Sequence, residues 1–212
     1  MHTESTDVNP PAAANRKAAQ GRATRQALLE AGRRLFGERG YANTSTEDVV
    51  ALAGVTKGAL YHHFGGKPDL FRAIFEEVKH EISDRVAAVF MEPDAWTALV
   101  GGCQALVDAQ LDPEVRQIVL NDARSVLGWD TVREVENRYG AVALRGALRK
   151  AMHAGMLERA PLRPLALLLT GALSEACFYV SDADDPAAAR VEVSDLVVTM
   201  LVAFRTAEAS PP

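Results

Sequence analysis

The sequence predicts an all-α fold, with a small three-helix head at the N-terminal end and a larger helical body behind it. Three observations carry this. From Ala23 onward, apolar residues recur at spacings of three and four in almost every segment. No segment shows the sustained period-two alternation, bounded by turn residues, that marks a strand. Pro93, Pro113, Pro161, Pro164 and Pro186 cut the remainder into helix-length pieces.

Residues 1–20 are rich in Pro, Ala, Ser, Thr and Asn and hold almost no large apolar side chain, so they read as a disordered tail. Ala27, Leu28, Ala31 and Leu35 then form one apolar helix face, and Gly37 and Gly40 bracket its end. Ser45, with Asp48 three residues on, is a capping box opening a short helix through Ala53, whose buried side would be Val49, Val50 and Leu52. Gly54 breaks the chain, and Thr56 caps a third short helix, TKGALYHHF. Gly65 and Gly66 end it. Pro68, acceptable only in a first turn, sets the start of a long fourth helix. Further helices are expected near 68–91, 94–111, 113–122, 129–155, 162–181 and 187–207. Leu165, Leu168, Leu169, Ala172, Leu173 and Ala176 make one apolar stripe. Val193, Leu196, Val197, Met200, Leu201 and Phe204 make another. Two such helices in a row are either the core of the body or half of a four-helix interface with a second subunit. The expected division is a tail over 1–20, a head over 21–67 and a body over 68–212.

The chain has 212 residues, 48% hydrophobic and 24% charged, which is ordinary globular composition and excludes wholesale disorder. Two cysteines suit a reducing compartment. With no unbroken apolar run of about 18 residues and no secretory signal pattern, a cytoplasmic protein without a membrane span is expected. The net charge of −5 argues mildly against nucleic acid. Its distribution argues the other way. Residues 1–72 hold 10 basic and 7 acidic side chains, net +3, while residues 73–212 hold 13 and 21, net −8. A basic head on an acidic body suits a nucleic-acid module carrying a second domain, although a solvated helix face has the same composition.

STEDVVALAGVTKGALYHHF has the spacing of a helix-turn-helix, with Gly54-Val55 as the turn and a recognition helix near 57–63. Leu60 and Phe64, at i and i+4, anchor that helix. Gly58, Ala59 and His62 then point away from the anchor, flanked by Tyr61 and His63. Adjacent histidines on a helix diverge by about 100° and chelate one ion poorly, so no metal is expected there.

Across residues 22–75, Phe36, Gly40-Tyr41, Thr44-Ser45, Asp48, Ala53-Gly54-Val55, Gly58, Leu60-Tyr61, Phe64, Lys67 and Leu70 sit at one characteristic spacing. In this the chain resembles the tetracycline-repressor (TetR) family of bacterial transcription regulators. The resemblance implies a homodimer whose head binds double-stranded DNA and whose body binds a small-molecule effector and forms the dimer interface. It further implies that Thr46 donates to a phosphate and Lys57 reaches a base edge. Gly58 and Ala59 would let the helix approach bases closely. Tyr61 would contact a phosphate, His62 would face bases and His63 the backbone. Lys67 would neutralise a phosphate at the start of the fourth helix. Plainer roles also fit: Tyr61 packed on Leu70, Lys67 a solvated charge, and Arg16, Lys17 and Arg22 either following DNA or merely solvating a tail.

The body carries no G-x-S-x-G, P-loop, G-x-G-x-x-G or H-E-x-x-H pattern, so no enzyme activity and no cofactor are expected. Trp96, Cys103, Gln104, Trp129, Tyr139, Phe178 and Tyr179 are the candidate ligand-pocket residues, being large or polar on apolar stretches. Plain core packing accounts for the same residues. The expected function is a ligand-responsive regulator, most simply a repressor released by its effector through the fourth helix. A DNA-binding accessory protein without an effector is the alternative, which a dry, fully packed body would favour.

Overall fold

A computed structural model of the chain describes residues 12–206, and these are helical nearly throughout. In order they form α1 (Ala12–Arg39), α2 (Thr46–Ala53), α3 (Lys57–Phe64), α4 (Lys67–Phe90), α5 (Ala95–Ala109) and α6 (Pro113–Val115). A π-helical stretch (Arg116–Asp122) follows, and then α7 (Ala123–Leu127), α8 (Trp129–His153), α9 (Leu162–Asp182) and α10 (Pro186–Val202). The all-α fold, with its small head and larger body, is as the sequence predicts.

Local chemistry sets the ends. Ser45 Oγ accepts from Asp48 N at 3.1 Å while the Asp48 carboxylate accepts from Ser45 N at 3.0 Å, completing the capping box of α2. Asp94, Asp112 and Asp185 cap α5, α6 and α10 through their first backbone amides. Two differences from the sequence reading concern helix ends. Residues 12–20, expected in the disordered tail, belong to α1, because Ala12–Ala14, Ala18 and Ala19 are the strongest helix formers and simply extend a helix anchored further on. Residues 1–11 lie outside the described residues. At the other end α10 stops at Val202 rather than near 207, and Arg205 pairs with Leu157 in an isolated bridge.

The buried core runs continuously from head to body along α4. Its first turns bury Leu70, Phe71, Ile74 and Phe75, and its later turns bury Val78, Ile82, Val86 and Phe90. Phe71 stacks edge-on against Phe36 (5.3 Å between centroids) and Tyr41 (5.2 Å). α1 crosses α4 closely at Gly32, where a Cβ would lie 2.8 Å from Ile74 Cδ1 and would require that side chain to shift. The head's core therefore does not stop at residue 67: the first half of α4 is part of it.

Leu52, expected on the buried side of α2, is 46% exposed. Val49, Val50 and Ala53 share an arc of the helix that faces α1, and Leu52 lies on the far edge of that arc. The stripe on α9 divides in two. Leu165, Leu169, Leu173 and Cys177 face inward, whereas Leu168 is 73% exposed. α9 is also long and apolar enough to cross a bilayer by length and composition, which the lack of an unbroken apolar run did not anticipate. Its inner residues are packed into the body core.

Head and body are further joined by polar contacts. Arg33 of α1 donates from Nη1 to Glu81 of α4 at 2.6 Å and from Nε to Glu114 of α6 at 2.7 Å. Tyr41 N donates to Asp122 at 2.8 Å, and Gln117 Nε2 donates to the same carboxylate oxygen at 3.0 Å. The π-helical stretch thus abuts the head through its own side chains.

One buried charge stands out in the body. Lys79 is only 8% exposed. Burial lowers its pKa below the ordinary lysine value, with Glu136 and Cys177 opposing the shift. Folding therefore releases a proton that the unfolded chain holds, so stability should rise with pH in the alkaline window below 10.5. Lys79→Met is expected to raise the thermal midpoint at neutral pH, by about 1 kcal/mol or more of stability. It should also remove that part of the alkaline rise; thermal unfolding of both proteins across pH checks this.

Candidate nucleic-acid interface

The head presents α3 on a compact scaffold. Gly54 closes α2 with φ +66°, a left-handed conformation that residues with a Cβ resist, and this turns the chain into α3. Thr56 Oγ1 accepts from Ala59 N at 3.3 Å and caps α3. Leu60 and Phe64 are buried against the head core, which fixes the rotation of the helix. Lys57, Gly58, Tyr61 and His62 are consequently exposed, and Ala59 and His63 are half-buried. Tyr61 is 50% exposed, so it is not held in the core against Leu70. The His62 and His63 rings meet edge-on at 5.2 Å, and no cluster of three or more metal-ligating side chains occurs among the described residues.

Two of the cations expected at DNA are already engaged. Lys57 Nζ donates to Glu47 Oε1 at 2.5 Å, and Thr46 Oγ1 donates to the other Glu47 oxygen at 2.9 Å. The Lys57 contact is the chief reason the Glu47 carboxyl is held down at about 2. The same contact raises the Lys57 pKa. Lys67 Nζ lies 3.9 Å from the centroid of the Tyr41 ring, and partial burial lowers its pKa while Asp122 opposes that. It is therefore engaged with Tyr41 rather than a free surface charge.

The role of Glu47 is not visible in the sequence, because only α2 and α3 in place reveal that positions 47 and 57 meet. Lys79 is legible in principle. It follows Phe75 by four residues and precedes Ile82 by three, within the buried stripe of α4.

The seven candidate pocket residues do not form one site. Cys103 is buried in α5 and its thiol is pushed up to about 12 by burial. Cys177 is pushed to about 12 as well, and its sulfur accepts from Gln110 Nε2 at 3.1 Å. Trp129, which is 55% exposed, and Phe178 share the Arg124 guanidinium, 4.6 Å from each ring. Trp96 carries Arg205 at 4.6 Å. Tyr139 meets His80 edge-on at 5.4 Å. Gln104 Nε2 donates to Ser194 of α10 at 2.5 Å, and Tyr179 OH donates to Glu192 at 3.1 Å. Apart from Trp129 and Phe178, which meet at Arg124, these aromatics contact different partners.

An open apolar trough lies on the outside of α9 and α10. Ala172, Ala176, Tyr179, Leu196, Val197 and Met200 line its volume of about 450 Å³. Leu196 is 66% exposed on its rim.

Two family descriptions match this chain: "Bacterial regulatory proteins, tetR family" over residues 28–74 and "Tetracyclin repressor-like, C-terminal domain" over residues 96–204. A crystal structure of a TetR-family transcriptional regulator from Pectobacterium atrosepticum superposes with a TM-score of 0.80 at 33% identity, covering 92% of this chain and 98% of that one. The Transposon Tn10 TetC protein of Escherichia coli is 26% identical over 150 residues, 71% of this chain and 76% of its own. The HTH-type transcriptional regulator TtgR of Pseudomonas putida is 37% identical over 101 residues, 45% of this chain and about half (47%) of its own length. With half the chain matched by the C-terminal description alone, and a head built as a helix-turn-helix, the chain belongs to the TetR family of bacterial transcriptional regulators.

Proposed function

We propose that this protein is a transcriptional repressor that binds operator DNA as a two-fold dimer and is released by a small-molecule effector. The observation that carries the reading is α3: anchored by Leu60 and Phe64 and turned outward at Gly54, it offers Lys57, Gly58, Ala59, Tyr61 and His62 on one accessible surface. Gly58 and Ala59 keep that surface low enough for a major groove to close on it. Lys57 and His62 are assigned to base edges, and Thr46, Tyr61, His63 and Lys67 to phosphates. The head would then comprise residues 21–67 together with the turns of α4 packed beneath it, and residues 68–212 would be regulatory. Such a regulator acts where the chromosome is, in the cytoplasm.

The trough on α9 and α10 supports pairing with the same helices of a second subunit, since apolar side chains there stay exposed in one chain and would be covered in two. Inside the body, the effector reading draws support from Lys79, Gln110 and Cys177, polar groups buried among apolar helices where a ligand would find partners. The effector would favour an arrangement of the body that the operator-bound dimer cannot adopt, and linkage then requires DNA to weaken effector binding equally. A second reading, a DNA-binding accessory protein without an effector, is favoured by the dispersal of the seven aromatic and polar candidates.

Selection of bound duplexes from a random pool tests the DNA reading directly: a near-palindromic consensus is expected, and failure to enrich any sequence overturns it. In the same selection Lys57→Ala should lose roughly tenfold or more of discrimination at one base pair. Lys67→Ala should weaken all sites alike. The pairing of Glu47 with Lys57 can be followed separately by carboxyl titration in solution. Because the Glu47 pKa is lowered, the pairing is complete above the ordinary carboxylate range and disappears as pH falls through about 2; in Lys57→Ala the midpoint should return toward 4.5. For the subunit interface, sedimentation at micromolar concentration should show a dimer, and Leu196→Glu should weaken association by roughly tenfold or more while preserving helicity. A monomeric wild-type protein would exclude the interface.

A further inference from the structure

The N-terminal part of α1 has features that the head does not require. Between residues 15 and 39 of α1 the first buried residue is Leu28, and residues 15–20 are all exposed. Over residues 12–29 the charged side chains are Arg16, Lys17, Arg22 and Arg25, with no acidic residue until Glu30. Residues 15–20 hold no apolar side chain larger than alanine and are all exposed, so they contribute nothing to the core. Nine helical residues standing alone would be marginal in water. They persist here as the extension of an anchored helix.

Placement gives this stretch its meaning. A Cβ on Gly21 would lie 4.0 Å from His63 Cε1, so α1 passes directly beside the end of α3. One turn later the Arg25 guanidinium lies over the Phe64 ring at 5.2 Å. At about 1.5 Å of rise per residue, residues 12–20 continue roughly 14 Å past that point. That is about the length of four base pairs along a duplex, whose charges recur every ~1.7 Å of axis. Arg16, Lys17 and Arg22 point in directions about 100° or more apart around the helix axis. Such a spread cannot present three side chains to one row of base edges, but it suits contact with backbone on more than one side.

We propose that the N-terminal part of α1 is a second DNA-binding element, a basic helical arm whose Arg16, Lys17 and Arg22 neutralise backbone phosphates flanking the site read by α3. The inference rests on α3 being the recognition helix, and the test separates the two. The family match to the head begins at residue 28, so the arm lies outside it.

The full chain and an Arg16→Gln, Lys17→Gln, Arg22→Gln variant are compared on duplexes that the wild-type protein selects from a random pool. Each duplex is made at the core length and with about five base pairs added at both ends. The wild-type protein should bind the longer duplex more tightly, and the variant should bind both equally. The variant's salt slope should fall by about 0.9 for each phosphate no longer neutralised, hence by roughly 2 to 3 per protomer if all three side chains reach one. Its base preference and thermal midpoint should match the wild type, because the replaced side chains are exposed. A variant with unchanged salt slope and length dependence overturns the arm and leaves α3 standing. A variant with altered base preference overturns the assignment to phosphates. A wild-type protein that enriches no duplex removes both readings together.

Discussion

The structure depends on α4 belonging to two cores at once. Its first turns complete the head, where Phe71 locks Phe36 and Tyr41 and Ile74 sits against Gly32. Its later turns, through Val78, Ile82, Val86 and Phe90, are buried in the body. A helix of this length spans about 36 Å and does not hinge in the middle without a proline or glycine, and none lies between Asp69 and Phe90. A displacement at one end of α4 is therefore carried to the other. Without it α1, α2 and α3 lose Leu70, Phe71, Ile74 and Phe75 from the core they share.

The polar contacts around Arg33 and Asp122 work on the same lever from the side. Glu81 lies on α4, but Glu114 lies on α6 and Asp122 at the end of the π-helical stretch, so α1 and the turn that follows it are tied to separate parts of the body. A π-helix packs one extra residue into a turn and converts to α-helix with a shift of register. Such a shift between Arg116 and Asp122 would move the Asp122 carboxylate relative to Tyr41 and Gln117.

Much of this is legible in the sequence because the responsible interactions are local. The Ser45 and Asp48 capping box, the Gly54 turn and the Leu60 and Phe64 anchor all act within a few residues, and the structure forms each as read. What is not legible depends on contacts between distant segments. Glu47 meets Lys57 only after α2 and α3 are folded together. Leu52 is apolar yet exposed, because a two-turn helix buries a narrow arc. The aromatic residues of the body suggest one pocket only because a sequence does not say which partner each one contacts. Residues 12–20 depart from expectation for a different reason: low hydrophobicity signals a lack of core, and an Ala-rich run supplies helix without one.

The partition of charge acquires a direction once α4 is in place. The described part of the net-positive segment, residues 12–72, forms the head at one end of this rod, and the described part of the net-negative remainder, residues 73–206, is built around the other. The molecule is thus an electric dipole with its axis set by a rigid helix. In the field of a polyanion such a particle experiences a torque as well as a force, and it turns head-first before any contact is made. Within roughly a Debye length, about 8 Å at physiological ionic strength, that torque biases rotational diffusion toward the productive face. The acidic body would act during such an approach by making the backward orientation repulsive.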